Sequence, residues 1–198
     1  MSYQYFYDLG FKEKKYFISR KQSYHGCTTH ALSIGDRPNL YFYQNILASN
    51  CKKISEHNKY RYQRNDENDE SYAKRSAKEL EKKILSIGPD RVCAFVAETI
   101  AGGLVGDVPP NKNYWKKIRK VCDKYNIHLI IDEVWCGTGT SGKNFCIDWD
   151  NITPDFIFIS KTLAAGYGAL SAFITKKKIA DVIENKSGQI FYSNTHQG

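Results

Sequence analysis

The stretch Leu129-Ile130-Ile131-Asp132-Glu133-Val134, followed after a Gly-rich passage by Phe156-Ile157-Phe158-Ile159-Ser160-Lys161, decides the fold. Each half is an apolar run of strand length that ends in charge, at Asp132 in the first and at Lys161 in the second. Between them lie Gly137, Gly139 and Gly142, then the turn signal Thr153-Pro154-Asp155. A run that is apolar at every position, and not at alternate ones, belongs to a strand covered on both faces. A third such run, Val92-Cys93-Ala94-Phe95-Val96-Ala97, ends at Glu98.

The segments around these runs have helical period. Ala73, Ala77, Leu80, Ile84 and Ile87 recur at steps of three and four, from an N-cap read at Ser71 to a stop at Gly88-Pro89. A second helix is expected over 114–125, with Trp115, Ile118, Val121, Cys122 and Tyr125 inward. A third puts Ile179, Val182 and Ile183 on one face, and a short helix precedes Gly10. Further strands are expected at Tyr16–Ser19 and within Ala169–Thr175, and residues 35–70 read as an irregular surface excursion. Buried strands alternating with amphipathic helices specify an α/β, three-layer fold: a mostly parallel sheet flanked by helices. Ligands of such sheets sit at the carboxyl ends of the strands, which gathers Glu98, Asp132 and Lys161 on one edge.

Composition excludes several classes. The chain has 198 residues, 41% hydrophobic and 25% charged, the balance of a soluble globular domain. No apolar run approaches the roughly 20 residues of a membrane helix, and the N-terminus lacks a secretory pattern. The formal charge of +8 invites a polyanion partner. Its densest basic segment, Lys59-Tyr60-Arg61-Tyr62-Gln63-Arg64, runs at once into Asp66-Glu67-Asn68-Asp69-Glu70, so neither nucleic acid nor membrane is expected. The six cysteines form no C-x-x-C pair and no zinc spacing, so no metal is expected. Free thiols suit a reducing compartment, here the cytoplasm.

Two carboxylates and a lysine at one sheet edge suit pyridoxal phosphate. That cofactor needs a lysine for a Schiff base, a carboxylate on its pyridine nitrogen, side chains against both ring faces and donors for its phosphate. The lysine must be neutral to attack the aldehyde, and desolvation beside a cationic ring favours that. Once displaced by substrate, it can move a proton at Cα.

At this point the residues resemble a known family. Phe95-Val96-Ala97-Glu98, Gly102-Gly103, Val108-Pro109-Pro110, Tyr114, Leu129 to Val134, Gly137-Thr138-Gly139, Gly142, Pro154-Asp155 and Lys161 look, in this order, like the class III aminotransferases, pyridoxal-phosphate enzymes of fold type I. Arg20 to Gly26 resembles the family's segment ending in aromatic-His-Gly, and Thr195-His196-Gln197-Gly198 its Thr-containing segment. The resemblance implies a transaminase moving an amino group between an amine or amino acid and a keto acid or aldehyde. It implies that Lys161 is the catalytic Schiff-base lysine, that Asp132 pairs with the ring nitrogen, and that Val134 and Tyr24 pack on the two ring faces. His25 joins the cofactor-binding set, and Glu98 is a carboxylate on the substrate side or behind it. Thr195 reaches the phosphate of the neighbouring subunit, which implies a homodimer with shared active sites.

Three segments depart from the family pattern. Trp135-Cys136-Gly137 replaces Gln-Thr-Gly, Gly139-Thr140-Ser141-Gly142 replaces Gly-Arg-Thr-Gly, and Tyr167-Gly168-Ala169-Leu170 stands where a Pro is common. No counterpart of the family's upstream phosphate loop or of its C-terminal small domain is recognised. Residues 1–198 therefore read as a partial large domain from a longer enzyme. The alternatives are another reaction of the family, such as an aminomutase, or a non-catalytic truncated product.

Overall fold

The computed structural model describes residues 1–188, so Thr195 lies outside the described residues. In chain order the elements are α1 (Ser2–Asp8), β1 (Tyr16–Arg20), α2 (Thr29–Ile34), β2 (Cys51–Ile54), α3 (Lys59–Tyr62), α4 (Asp69–Ile87), β3 (Val92–Glu98), α5 (Tyr114–Lys124), β4 (His128–Asp132), β5 (Phe156–Ile159), β6 (Ala172–Thr175) and α6 (Lys177–Lys186). The sheet runs β2-β1-β3-β4-β5-β6. Neighbours are parallel except β6, which is antiparallel to β5.

Two helical layers explain why the central strands are apolar throughout. β3 is buried at all seven positions. On one face Phe95, Ala97, Leu129 and Ile131 meet Leu80 and Ile84 of α4 and Trp115 and Ile118 of α5. On the other, Cys93, Val96 and Ile130 meet Phe6 of α1 and Ile179 and Ile183 of α6. Each large side chain so buried contributes about 1.5–3 kcal/mol against the entropy of ordering the chain. The α/β, mostly parallel architecture expected from the sequence is the one observed.

Four local expectations are corrected. The cap of α4 is Asn68, not Ser71; the two form a reciprocal capping box, Ser71 N donating to Asn68 Oδ1 and Asn68 N to Ser71 Oγ, both at 2.9 Å. Residues 35–70 are no mere surface excursion, because they hold the edge strand β2 and bury Ile54, His57 and Asn58. The strand before Lys161 ends at Ile159, and Lys161 opens a 3-10 turn over Lys161–Ala164. The last strand begins at Ala172, after the Gly-rich run is spent.

Candidate active site

The carboxyl ends of β1, β3, β4 and β5 bring the expected charges to one edge. Glu98 and Asp132 are register partners, so both side chains leave the same face of the sheet. Asp132 is in turn paired with Phe158, three residues before Lys161, which sets the carboxylate and the lysine on neighbouring strand ends.

The Asp132 carboxylate is held at both oxygens. Oδ2 bonds His25 Nδ1 at 2.9 Å, and Oδ1 accepts from the Val134 amide at 3.0 Å. His25 comes from the loop between β1 and α2, and its Nε2 is buried without a hydrogen-bond partner. Val134 therefore meets Asp132 through its backbone. Tyr24, next to His25, is partly exposed and carries the Arg37 guanidinium 5.0 Å above its ring.

Glu98 is buried, which pushes its carboxyl above the usual range; Arg20, His25 and the Gly102 N–H oppose that shift, and Asp132 adds to it. Arg20, the last residue of β1 and the first of the segment that resembles the family's aromatic-His-Gly motif, has no site role expected from the sequence. It is buried, with Nη2 donating to the Glu98 carbonyl at 2.5 Å and its guanidinium 5.7 Å from the Trp115 ring. A basic residue closing an apolar strand was the available signal.

Glu133 has a different task from Asp132, because successive residues leave opposite faces of the chain. It is 1% exposed and accepts from Thr99 Oγ1 at 2.8 Å and from the Cys146 and Ile147 amides at 2.7 Å. It fastens the loop after β4 to the 3-10 turn Cys146–Asp150. Gly137 is required above it, since a Cβ there would lie 2.8 Å from the Glu133 carbonyl oxygen.

Lys161 adopts a left-handed backbone, φ 41°, a conformation that costs a non-glycine residue energy and that gathers at functional sites. Its side chain is exposed, and its amine lies 5.5 Å from the Trp135 ring centre. Both line a cavity of about 410 Å³ together with Ile100, Asp107, Pro109 and Thr162. The donor set fits pyridoxal phosphate: a carboxylate fixed on both oxygens suits a pyridinium, and a lysine amine resting on a ring in an open cavity can reach an aldehyde.

Across residues 1–198 the sequence matches the family model of aminotransferase class III. The chain belongs to the class III aminotransferases. It is 39% identical over 195 residues to an uncharacterized aminotransferase of Schizosaccharomyces pombe, covering 98% of this chain and 42% of that protein. It is 34% identical to gamma aminobutyrate transaminase 3, chloroplastic, of Solanum lycopersicum, covering 96% of this chain and 37% of that one. Among solved structures it superposes with TM-score 0.91 on an amine transaminase from an uncultivated Pseudomonas species in PLP-bound form, at 29% identity, covering 98% of this chain and 44% of that one. This class III chain thus spans about two fifths of the length of the relatives it matches. Among its described residues no helix is long and apolar enough to cross a membrane.

Proposed function

We propose that the chain is part of the pyridoxal-phosphate-binding large domain of a transaminase, one that moves an amino group between an amine or amino acid and a keto acid or aldehyde. The observation that carries this reading is the doubly held Asp132 carboxylate on the strand beside the one that leads to Lys161. When bound, the cofactor supplies an electron sink for negative charge at the substrate Cα.

The chain's own residues do the rest. Asp132 keeps a ring nitrogen protonated, and His25 fixes the orientation of that carboxylate. Val134 and Tyr24 flank the ring. Lys161 would hold the cofactor through its amine, and the same amine would move the proton at the substrate Cα. Glu98 stands beside Asp132 on the neighbouring strand as a substrate-side carboxyl that burial pushes above the usual range. Thr195 serves the phosphate of a neighbouring subunit in a homodimer. The six free thiols support a reducing compartment such as the cytoplasm.

The test is a titration of the chain with pyridoxal phosphate. A visible absorbance band is expected that Lys161→Ala abolishes, with borohydride fixing the label on Lys161 in the parent chain. Asp132→Asn is expected to weaken binding about 10–100-fold, the scale of losing a fixed partner of a bound group. No band, or a band that survives Lys161→Ala, overturns the reading. γ-Aminobutyrate is the first donor to try, because the tomato relative is named for it.

A further inference from the structure

Trp135 is a side chain that the proposed chemistry does not use, and it stands beside the reacting amine. Its backbone is pinned on both sides: Val134 N donates to Asp132 Oδ1 at 3.0 Å, and Gly137 N to the Glu133 carbonyl at 2.9 Å. The turn that carries Lys161 is tied to the same loop, Thr162 Oγ1 donating to the Gly137 carbonyl at 3.3 Å. The indole is braced as well. A Cβ added at Gly102 would stand 3.4 Å from its Cγ and Cδ1, so the ring lies against that backbone. Gly102 is itself fixed, its carbonyl accepting from Gly106 N at 3.0 Å and from Val105 N at 3.1 Å. Trp135 still remains 49% exposed and lines the Lys161 cavity, so indole surface is open to a molecule that enters.

A side chain held in place on both counts loses little further freedom when a ligand stacks on it. The Lys161 amine lies over the indole, 5.5 Å from the ring centre and within the reach of a cation–π contact. A carbon that bonds this amine brings its own substituent into the space beside the indole, where aromatic pairs attract at centroid separations of about 4.5–7 Å. Ile100 and Pro109 continue the apolar wall, and Asp107 adds a negative charge that a carboxylate on the ligand would meet.

We propose that Trp135 determines specificity at the Lys161 site, selecting carbonyl acceptors and amine donors that carry a flat apolar substituent, such as an aryl ring, over those that carry a carboxylate in its place. This rests on the transaminase function proposed above and names its substrate class. Attraction and rejection act together: the indole stacks on the aryl ring, and Asp107 opposes the carboxylate. One aromatic pair corresponds to a preference of about 2- to 10-fold.

The experiment leaves pyridoxal phosphate out. It treats the 198-residue chain with benzaldehyde, or with succinic semialdehyde, the aldehyde related to γ-aminobutyrate, each together with sodium cyanoborohydride. At a lysine that reacts, the amine attacks the carbonyl carbon, the carbonyl oxygen leaves as water, and the borohydride delivers hydride to the C=N carbon to give a secondary amine. Peptide mass mapping reports labelling of Lys161 as a ratio to the mean of the other labelled lysines, which removes the intrinsic reactivity of each aldehyde. In the parent chain that ratio is expected to be about 2- to 10-fold higher for benzaldehyde. Trp135→Gln should bring the two ratios together, and Trp135→Phe should keep them apart, with far-ultraviolet circular dichroism unchanged in both. Where Trp135→Gln does not fold, Trp135→Leu, which keeps apolar bulk without a ring, is read in its place. Equal ratios in the parent, or a higher one for succinic semialdehyde, overturn the proposal, as does a preference that survives loss of the ring. A chain with this preference but no absorbance band with pyridoxal phosphate retains the specificity and loses the transaminase function; a band without the preference does the reverse.

Discussion

The buried carboxylates differ residue by residue in what neutralises them. Glu133 is satisfied by a hydroxyl and two amides, all neutral, and burial pushes its carboxyl above the usual range against those hydrogen bonds. Asp155, at the entry to β5, is surrounded by charge: Arg119 Nη1 at 2.7 Å, Lys176 Nζ at 2.8 Å and the Leu129 amide at 2.9 Å. Burial opposes its ionisation, but Arg119, Lys176 and the Leu129 amide outweigh that and hold its carboxyl below the usual range. A depressed folded value means that the stabilisation is complete above the unfolded pKa and is lost as pH falls through the folded one. Asp155→Asn leaves two cations facing an amide, so unfolding in urea at pH 7 is expected to show a loss of about 3 kcal/mol. A loss under about 1 kcal/mol would mean that Arg119 and Lys176 find water or Asp123 instead. The motif Pro154-Asp155 was legible as a family signature; its ion-pair role was not, because Arg119 and Lys176 come from other elements.

At the scale of elements, the sequence announced what is buried on both faces and hid what lies at the edges. β3, β4 and β5 were legible because their runs are apolar at consecutive positions, β3 being buried throughout and β4 and β5 at all but one position. β2 was not: Cys51-Lys52-Lys53-Ile54 has two lysines, and only the fold reveals that Lys53 bonds Ser19 Oγ and the Ser33 and Ile34 carbonyls. Nor was α2, whose six residues are too few for a period to show. The charged site residues could be placed because Glu98 and Asp132 close legible strands and Lys161 comes two residues after one, whereas His25 sits in a loop, and its bond to Asp132 is a long-range contact. The far edge carries a consequence. β6 is antiparallel and exposed along nearly its whole length, with Phe173 and Ile174 open on opposite faces and Leu170 and Tyr167 beside it. An open edge with apolar side chains is a template for association. The isolated chain is expected to scatter light increasingly with concentration, and Ile174→Lys to reduce that scattering without changing far-ultraviolet circular dichroism. Equal scattering from both chains would assign the association to another surface.

Across the whole molecule, one buried histidine packs against each helical layer, which makes acid a probe of both. His57 is stacked between Tyr72 of α4 and Tyr114 of α5, at 4.6 and 3.9 Å, and bonds Ser76 and Asn111. His128 packs on Phe6 and Tyr5 of α1 and bonds Ser2. Burial, ahead of every other influence, lowers both rings from 6.5 to about 4. Above pH 6.5 each is neutral in both states and the shift contributes nothing to the pH dependence. Between 6.5 and 4 the unfolded chain takes up a proton that the folded chain refuses, so stability falls as pH falls; below about 4 both states are protonated and the loss is complete. At about 1.4 kcal/mol per unit, each ring costs about 3 kcal/mol at most by pH 4. Glu98 and Glu133, held above the usual carboxyl range, act in the opposite direction, gaining stability as pH falls. Urea midpoints from pH 7 to 5 therefore report a difference, and a variant isolates the histidine share. His57→Asn keeps a polar group near Ser76 and Asn111 but cannot titrate. Its stability is expected to fall less steeply over that range than the parent's, while the parent's His57 and His128 ring signals in nuclear magnetic resonance hold their neutral positions down to about pH 5. Parallel slopes in the two proteins, or rings that titrate near 6.5, would refute the claim that the two layers exclude the imidazolium.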